Sequence, residues 1–145
     1  MSGADDSSPQ PTLADIECCF EGITPAVIAT ASADGTPNVT HLSRVHYVDE
    51  THVALSNQFF SKTTRNLAEN PRASVIVVDP QRYDSYRLTL QYERTERRGP
   101  LFEELSRDID AIAALTGMTE VFKLKSADIY RVLEIAQTPA VGDGR

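Results

Sequence analysis

The sequence predicts a mainly β, α+β domain of about six antiparallel strands curled into a small barrel, with two or three peripheral helices. Short apolar and β-branched runs are separated by turn signals at close spacing. Few stretches repeat apolar residues at helical spacing. The connections between runs are short, so successive strands pair as antiparallel neighbours. A two-layer α+β sheet fits the same loop lengths, and that alternative stays open at this level.

The elements follow in order. Residues 1–11 are rich in Ser, Asp and Pro and read as a disordered tail, leaving 12–137 as the domain and 138–145 as a polar C-terminal tail. Thr12 is placed to cap a short helix, in which Leu13, Ile16 and Phe20 share a face. Pro25 opens the run Ala26-Val27-Ile28-Ala29, whose unbroken apolar character marks a buried strand. Asp34-Gly35 suits a hairpin turn, because such turns need positive φ. Pro37 to Val48 reads as one returning strand, and His52 to Ser56 as the next. Ser61 can cap a helix that Asn70-Pro71 ends, since the residue before proline avoids the α region. Ala73 to Val78 is β-branched and reads as a central strand. Tyr86, Leu88, Leu90 and Tyr92 alternate with Arg87, Thr89, Gln91 and Glu93, which gives a strand with one wet face. Gly99-Pro100 starts a helix with the stripe Leu101, Leu105, Ile109, Ile112 and Ala113, and Thr116-Gly117 closes it. Phe122, Leu124, Ile129, Val132, Leu133 and Ile135 belong to one or two final strands.

Composition narrows the function. The 145 residues are 41% hydrophobic and 24% charged, which suits one folded domain with a core. A net charge of −7 argues against a duplex nucleic-acid binder and against a polybasic membrane-surface protein. No apolar run approaches the roughly 18 residues that span a bilayer. Met1 to Thr12 carries no signal-peptide core, and the two cysteines, Cys18 and Cys19, are adjacent, so a cytoplasmic protein without a disulfide framework is expected. Two segments are locally positive. One holds Lys62, Arg65 and Arg72 against Glu69; the other holds Arg82, Arg87, Arg94, Arg97 and Arg98 against three acids. Both read equally as surface scatter or as part of a pocket for an anionic small molecule.

Common signatures are missing. There is no glycine-rich dinucleotide fingerprint, no phosphate-binding P-loop and no serine elbow. His41, His46 and His52 have no metal-ligand spacing, so no metal is expected. No side chain stands out as a general acid or base. The informative segment is Ser56-Asn57-Gln58-Phe59-Phe60-Ser61-Lys62-Thr63-Thr64, which follows a strand and opens a helix. A helix start offers unpaired N–H groups and a partial positive charge, which suits a phosphate. A plain capped helix with a surface lysine suits the same residues.

Three pieces, in order, resemble the flavin-binding split barrel of the pyridoxamine 5′-phosphate oxidase-like family. Ala29-Thr30-Ala31-Ser32-Ala33-Asp34-Gly35-Thr36-Pro37 is similar to the family's hairpin, Ser61-Lys62-Thr63 to its phosphate segment, and Glu69-Asn70-Pro71-Arg72-Ala73-Ser74 to the start of its next strand. The resemblance spans roughly residues 20–135 and implies a six-stranded antiparallel split barrel. It implies a homodimer with flavin mononucleotide (FMN) at the subunit interface and a small-molecule substrate or reductant, with no role for nucleic acid or membrane. Carried over by residue, Lys62 and Thr63, helped by Ser61, would hold the phosphate. Thr40, His41, Leu42, Ser43 and Arg44 would run beside the ribityl chain and ring. Ser56 and Asn57 would line the same site, and Arg87 would reach its edge, with the partner subunit as one source. The resemblance implies an oxidoreductase. Relatives of the fold that bind a deazaflavin or haem, and a non-catalytic flavin-binding sensory or regulatory module, are the alternatives. Thr40 stands where the oxidases carry an Arg that meets the phosphate, and Thr63 where they carry a second cation. The C-terminal Trp and Arg signature of the true oxidases is missing, so pyridoxal phosphate synthesis is not expected.

Overall fold

The computed structural model describes residues 11–21, 25–58, 60–117 and 123–138. Almost all of both expected tails, together with Phe59 and Phe122, lie outside these residues.

The chain begins with a 3-10 segment, Ala14–Phe20. Thr12 Oγ1 accepts the Asp15 N–H at 3.2 Å while Asp15 Oδ2 accepts the Thr12 N–H at 2.9 Å, a reciprocal cap that satisfies two free donors. Leu13, Ile16 and Phe20 are buried, as their spacing predicts. Strands β1 (Ala26–Ala31) and β2 (Pro37–Leu42) then form the expected hairpin. Gly35 takes φ 89°, which a side chain would resist. Asp34 Oδ1 accepts from Ser32 Oγ at 2.5 Å, Thr36 Oγ1 at 2.8 Å and Thr36 N–H at 3.1 Å. These bonds, Ser32's first, hold the exposed carboxyl down at about 2, against an ordinary 3.8. A depressed folded pKa gives stability that is complete above the ordinary value and lost as pH falls through the folded one. Asp34→Asn is therefore expected to flatten the loss of stability between pH 3.8 and about 2, read by acid titration of circular dichroism.

Strands β3 (Val45–Asp49) and β4 (His52–Asn57) lead into helix α1 (Lys62–Glu69). Strands β5 (Arg72–Val78) and β6 (Ser85–Glu96), helix α2 (Pro100–Thr116) and strand β7 (Ser126–Gln137) follow. Gly117 closes α2 at φ 74°. The seven strands form one antiparallel sheet in the order β2-β1-β5-β6-β7-β4-β3. The expectation of six strands is corrected here, because the run from Pro37 to Val48 is two strands. Up to Leu42 it pairs with β1, and from Val45 it pairs with β4. Between them the Arg44 N–H donates to Ser56 Oγ and the Ser56 N–H donates to the Arg44 carbonyl, both at 3.1 Å. The chain changes partner at Ser43-Arg44 and so supplies both edges of the sheet. Four successive Cα atoms span at most about 11 Å, so the two edges meet at this corner. The sheet therefore curls into a barrel that is split rather than closed.

Period-two alternation sorts the faces. Ile28, Val75, Val77, Leu88, Leu90, Val53, Leu55 and Tyr130 fill the interior with Leu13 and Ile16. A smaller outer cluster, Ala54, Ala127, Ile129 and Leu105, seats α2. His46 on β3 ties to the same helix, with Nδ1 3.1 Å from Asp108 and Nε2 2.8 Å from Glu104. Helix α1 turns Thr63, Asn66 and Leu67 inward. Asn66 Nδ2 donates to Thr30 on β1 at 3.1 Å and Asn38 Nδ2 on β2 donates to Thr63 at 3.2 Å, which fixes α1 over one end of the barrel.

Candidate functional site

A slot of about 200 Å³ opens beside the split, lined by Pro25, His41, Leu42, Ser43, Ser56, Gln58 and Phe60. Its position follows from the partner switch, which brings the end of β2 against the end of β4. The chain leaves β4 after Asn57 and bends at Gln58, and Ser56, Gln58 and Phe60 all line the slot. The lining is mostly apolar, and its outstanding polar feature is Gln58. That side chain is 4% exposed, and Nε2 has no hydrogen-bond partner among the described residues. A buried amide donor left unmade costs about 1–3 kcal/mol, so a ligand acceptor here would relieve it.

Helix α1 starts just past the slot. Two Cα steps separate Phe60 from Lys62, a distance of at most about 7.6 Å. Lys62 is exposed at the first helical position and forms no ion pair among the described residues. Ser61 stands at the cap position but makes no side-chain cap bond, which corrects the expectation that its hydroxyl caps the helix. The first intrahelical bond runs from the Arg65 N–H to the Ser61 carbonyl. The N–H groups before it are the unpaired donors that a helix start presents to an anion. The corner can therefore offer a hydroxyl, an ammonium and backbone donors to a phosphate.

The structure brings His41, Leu42, Ser43 and Ser56 together in the slot, with Ser61 and Lys62 at its helical end. It places the other sequence-predicted residues elsewhere. Thr40 is half-buried on the opposite face of β2 from His41, across from Ile28 of β1. Thr63 is buried at 1% exposure and its hydroxyl engages Asn38. Arg44 turns toward α2, with Nε 3.5 Å from Asp108. Asn57 follows Ser56 on the strand and so points to the opposite face, where Nδ2 donates to Asp128 at 3.3 Å. Arg87 lies in one cross-strand row with Ile76, Val27 and His41. Three strand spacings, about 14 Å, separate it from His41, so it does not reach the slot of its own chain.

Sequence reasoning did not single out Pro25, Gln58 or Phe60 as slot residues. Gln58 and Phe60 lie between the end of β4 and the start of α1, where neither strand nor helix period indicates which way a side chain faces. Sequence reasoning also missed Asp128, a carboxyl inside the apolar run Ala127-Asp128-Ile129-Tyr130. Among the described residues, no group of His, Cys, Asp and Glu side chains gathers in a metal-binding arrangement, and no helix is long and apolar enough to cross a membrane.

A split antiparallel barrel with an apolar slot at the split and an exposed lysine at the helix start beside it defines the split-barrel class of fold. The chain belongs to the pyridoxamine 5′-phosphate oxidase family, whose pattern matches residues 13–135. It is 28% identical to an uncharacterized protein of Methanocaldococcus jannaschii over 107 residues, covering 68% of this chain and 72% of that one. Solved structures share the fold. An FMN-binding protein from Syntrophomonas wolfei superposes with a TM-score of 0.67 at 15% identity, over 80% of this chain and 78% of its own. An F420 reductase does so at 0.57 and 15% identity, over 89% and 98%. The haem storage protein HutZ of Vibrio cholerae does so at 0.57 and 14%, over 90% and 96%.

Proposed function

We propose that this protein is a homodimeric flavoprotein that holds FMN in the slot and passes reducing equivalents between small molecules. The observation that carries the reading is the buried Gln58 amide, whose Nε2 has no partner among the described residues, facing an apolar slot that ends at Ser61-Lys62. The slot would take part of the ring system, with Gln58 Nε2 and Ser56 as polar pins, and Lys62 and Ser61 would meet the phosphate. When bound, FMN supplies the hydride and electron chemistry. The chain's own part is to bind, orient and shield it.

A second copy completes this reading. About 200 Å³ is less than the roughly 300 Å³ at which pockets begin to enclose a ligand of this size. The outer face supplies a surface to pair. Val27, Ala29, Ile76 and Val78 are only half-buried there, and Val39 is 63% exposed. Strands apolar on both faces suit a sheet covered on both sides. Across such an interface, Arg87 of one copy would be free to approach the slot of the other. Ile76→Glu is expected to give a folded monomer by light scattering and to weaken FMN binding together with dimerisation.

The test is direct. The protein as isolated is expected to carry flavin absorbance, and FMN at a hundred times its Kd should stabilise the fold by about 2.7 kcal/mol in a melting assay. A colourless protein that FMN does not stabilise would overturn the reading. A deazaflavin or haem is the second reading, favoured by the uncharged Thr40 and Thr63 and by His41 in the slot lining. His41→Ala would abolish haem binding through that ring and leave FMN binding intact. Anaerobic reduction of the bound flavin by a nicotinamide donor separates an oxidoreductase from a sensory or regulatory module.

A further inference from the structure

A second cavity, of about 240 Å³, lies under α1 at the end of the barrel. Its lining includes Asn57, Thr64, Leu67, Tyr92, Arg97 and Asp128. It is separate from the slot, because Ser56 and Asn57 point to opposite faces of β4. Asp128 is 4% exposed. Its Oδ1 accepts from Ser126 Oγ at 2.9 Å and Thr95 Oγ1 at 3.1 Å; among the described residues its Oδ2 accepts only the Asn57 amide, at 3.3 Å. A carboxylate oxygen has room for a second donor, so Oδ2 retains an accepting site.

Burying a carboxylate without a cation is costly. Arg97 lines the same cavity, yet no ion pair joins it to Asp128 or to another described residue. Burial raises the Asp128 pKa, and the three hydrogen bonds and the Arg97 charge only offset this. The cavity thus holds a buried negative group and an exposed positive one, kept apart with space between them. A simple cation would meet the repulsion of Arg97, and a simple anion that of Asp128. A molecule with both signs meets neither. Leu67 and Tyr92 supply apolar walls for a short carbon chain between its charged ends.

We propose that this cavity is a second binding site, for a compact zwitterion whose ammonium group sits at Asp128 and whose carboxylate sits at Arg97. The proposal stands independently of the flavin reading, since it uses no slot residue facing the cofactor.

The test is a 15N NMR titration of the full chain with L-alanine, β-alanine and 4-aminobutyrate, with propylamine and propionate as singly charged controls. At least one zwitterion is expected to shift the amide signals of Asn57, Thr64, Thr95 and Arg97 at low-millimolar concentration, while the controls leave them in place. D128N and R97Q should each weaken that binding by about tenfold or more. If D128N fails to fold, R97Q carries the test, because Arg97 is exposed and its loss leaves the core intact. The proposal falls if no zwitterion moves these signals up to about 50 mM, a range far weaker than ordinary ligand binding. It falls equally if a control binds as well as the zwitterions, or if R97Q binds as wild type does.

Discussion

Lys62→Ala is expected to weaken FMN binding by roughly ten- to a hundredfold while leaving the fold unchanged. A hydrogen bond to a charged group is worth about 1.5–3 kcal/mol, which sets this range. The effect is large because the corner has little else to offer. Thr40 and Thr63 bring no charge, and the Thr63 hydroxyl already engages Asn38. Arg44 leans on Asp108, and Arg65 sits three residues past the helix start, beyond the first turn's free N–H groups. Lys62 itself is exposed, so its removal empties no site in the core. Fluorescence titration of FMN measures the loss, with Lys62→Arg as the variant that keeps charge and so most of the affinity. A change below twofold in Lys62→Ala would show that the helix start does not grip the phosphate.

Leu88→Ala is expected to lower the folding free energy by about 3 kcal/mol, within the range for emptying a buried leucine site. Leu88 has 0% exposure and sits mid-strand, opposite Val75 on β5 and Ile135 on β7. The hydrogen-bonded backbone on both sides cannot collapse into the void, which places the cost above simple transfer of the side chain. Urea denaturation should show a lower midpoint at unchanged slope, and the melting temperature should drop by roughly 10 °C. A loss below 1 kcal/mol would mean that the interior closes over the gap.

Much of this architecture was legible in the residues. The Asp34-Gly35 turn, the alternation of Tyr86 to Glu93 and the stripe of Leu105, Ile109 and Ile112 each obey one local rule, and each element formed where that rule put it. What was not legible depended on partners distant in sequence. Nothing local in Pro37 to Val48 says that the strand changes neighbour at Ser43, because the cause is the Ser56 backbone and hydroxyl on another strand. The same holds for the site. The order of Ser61, Lys62 and Thr63 pointed to a helix start, yet only the docking of α1 on β1 and β2 determines that Lys62 faces out and Thr63 faces in. The family resemblance implied Asn57 and Arg44 as lining, and in this chain Asn57 bonds Asp128 on the opposite face of β4 while Arg44 leans on Asp108.

The placement of β7 bears on how the molecule is made. It is the last of the described strands, yet it sits between β6 and β4 and pairs with both. A nascent chain that has emerged only as far as α2 therefore exposes two long unpaired edges, each a template for joining another chain. Its ladder with β4 also bridges residues far apart in sequence, the kind of pairing that assembles slowly. Ribosome-bound intermediates lacking residues 126–137 should accordingly be the aggregation-prone species, sheltered by chaperones until the closing strand arrives.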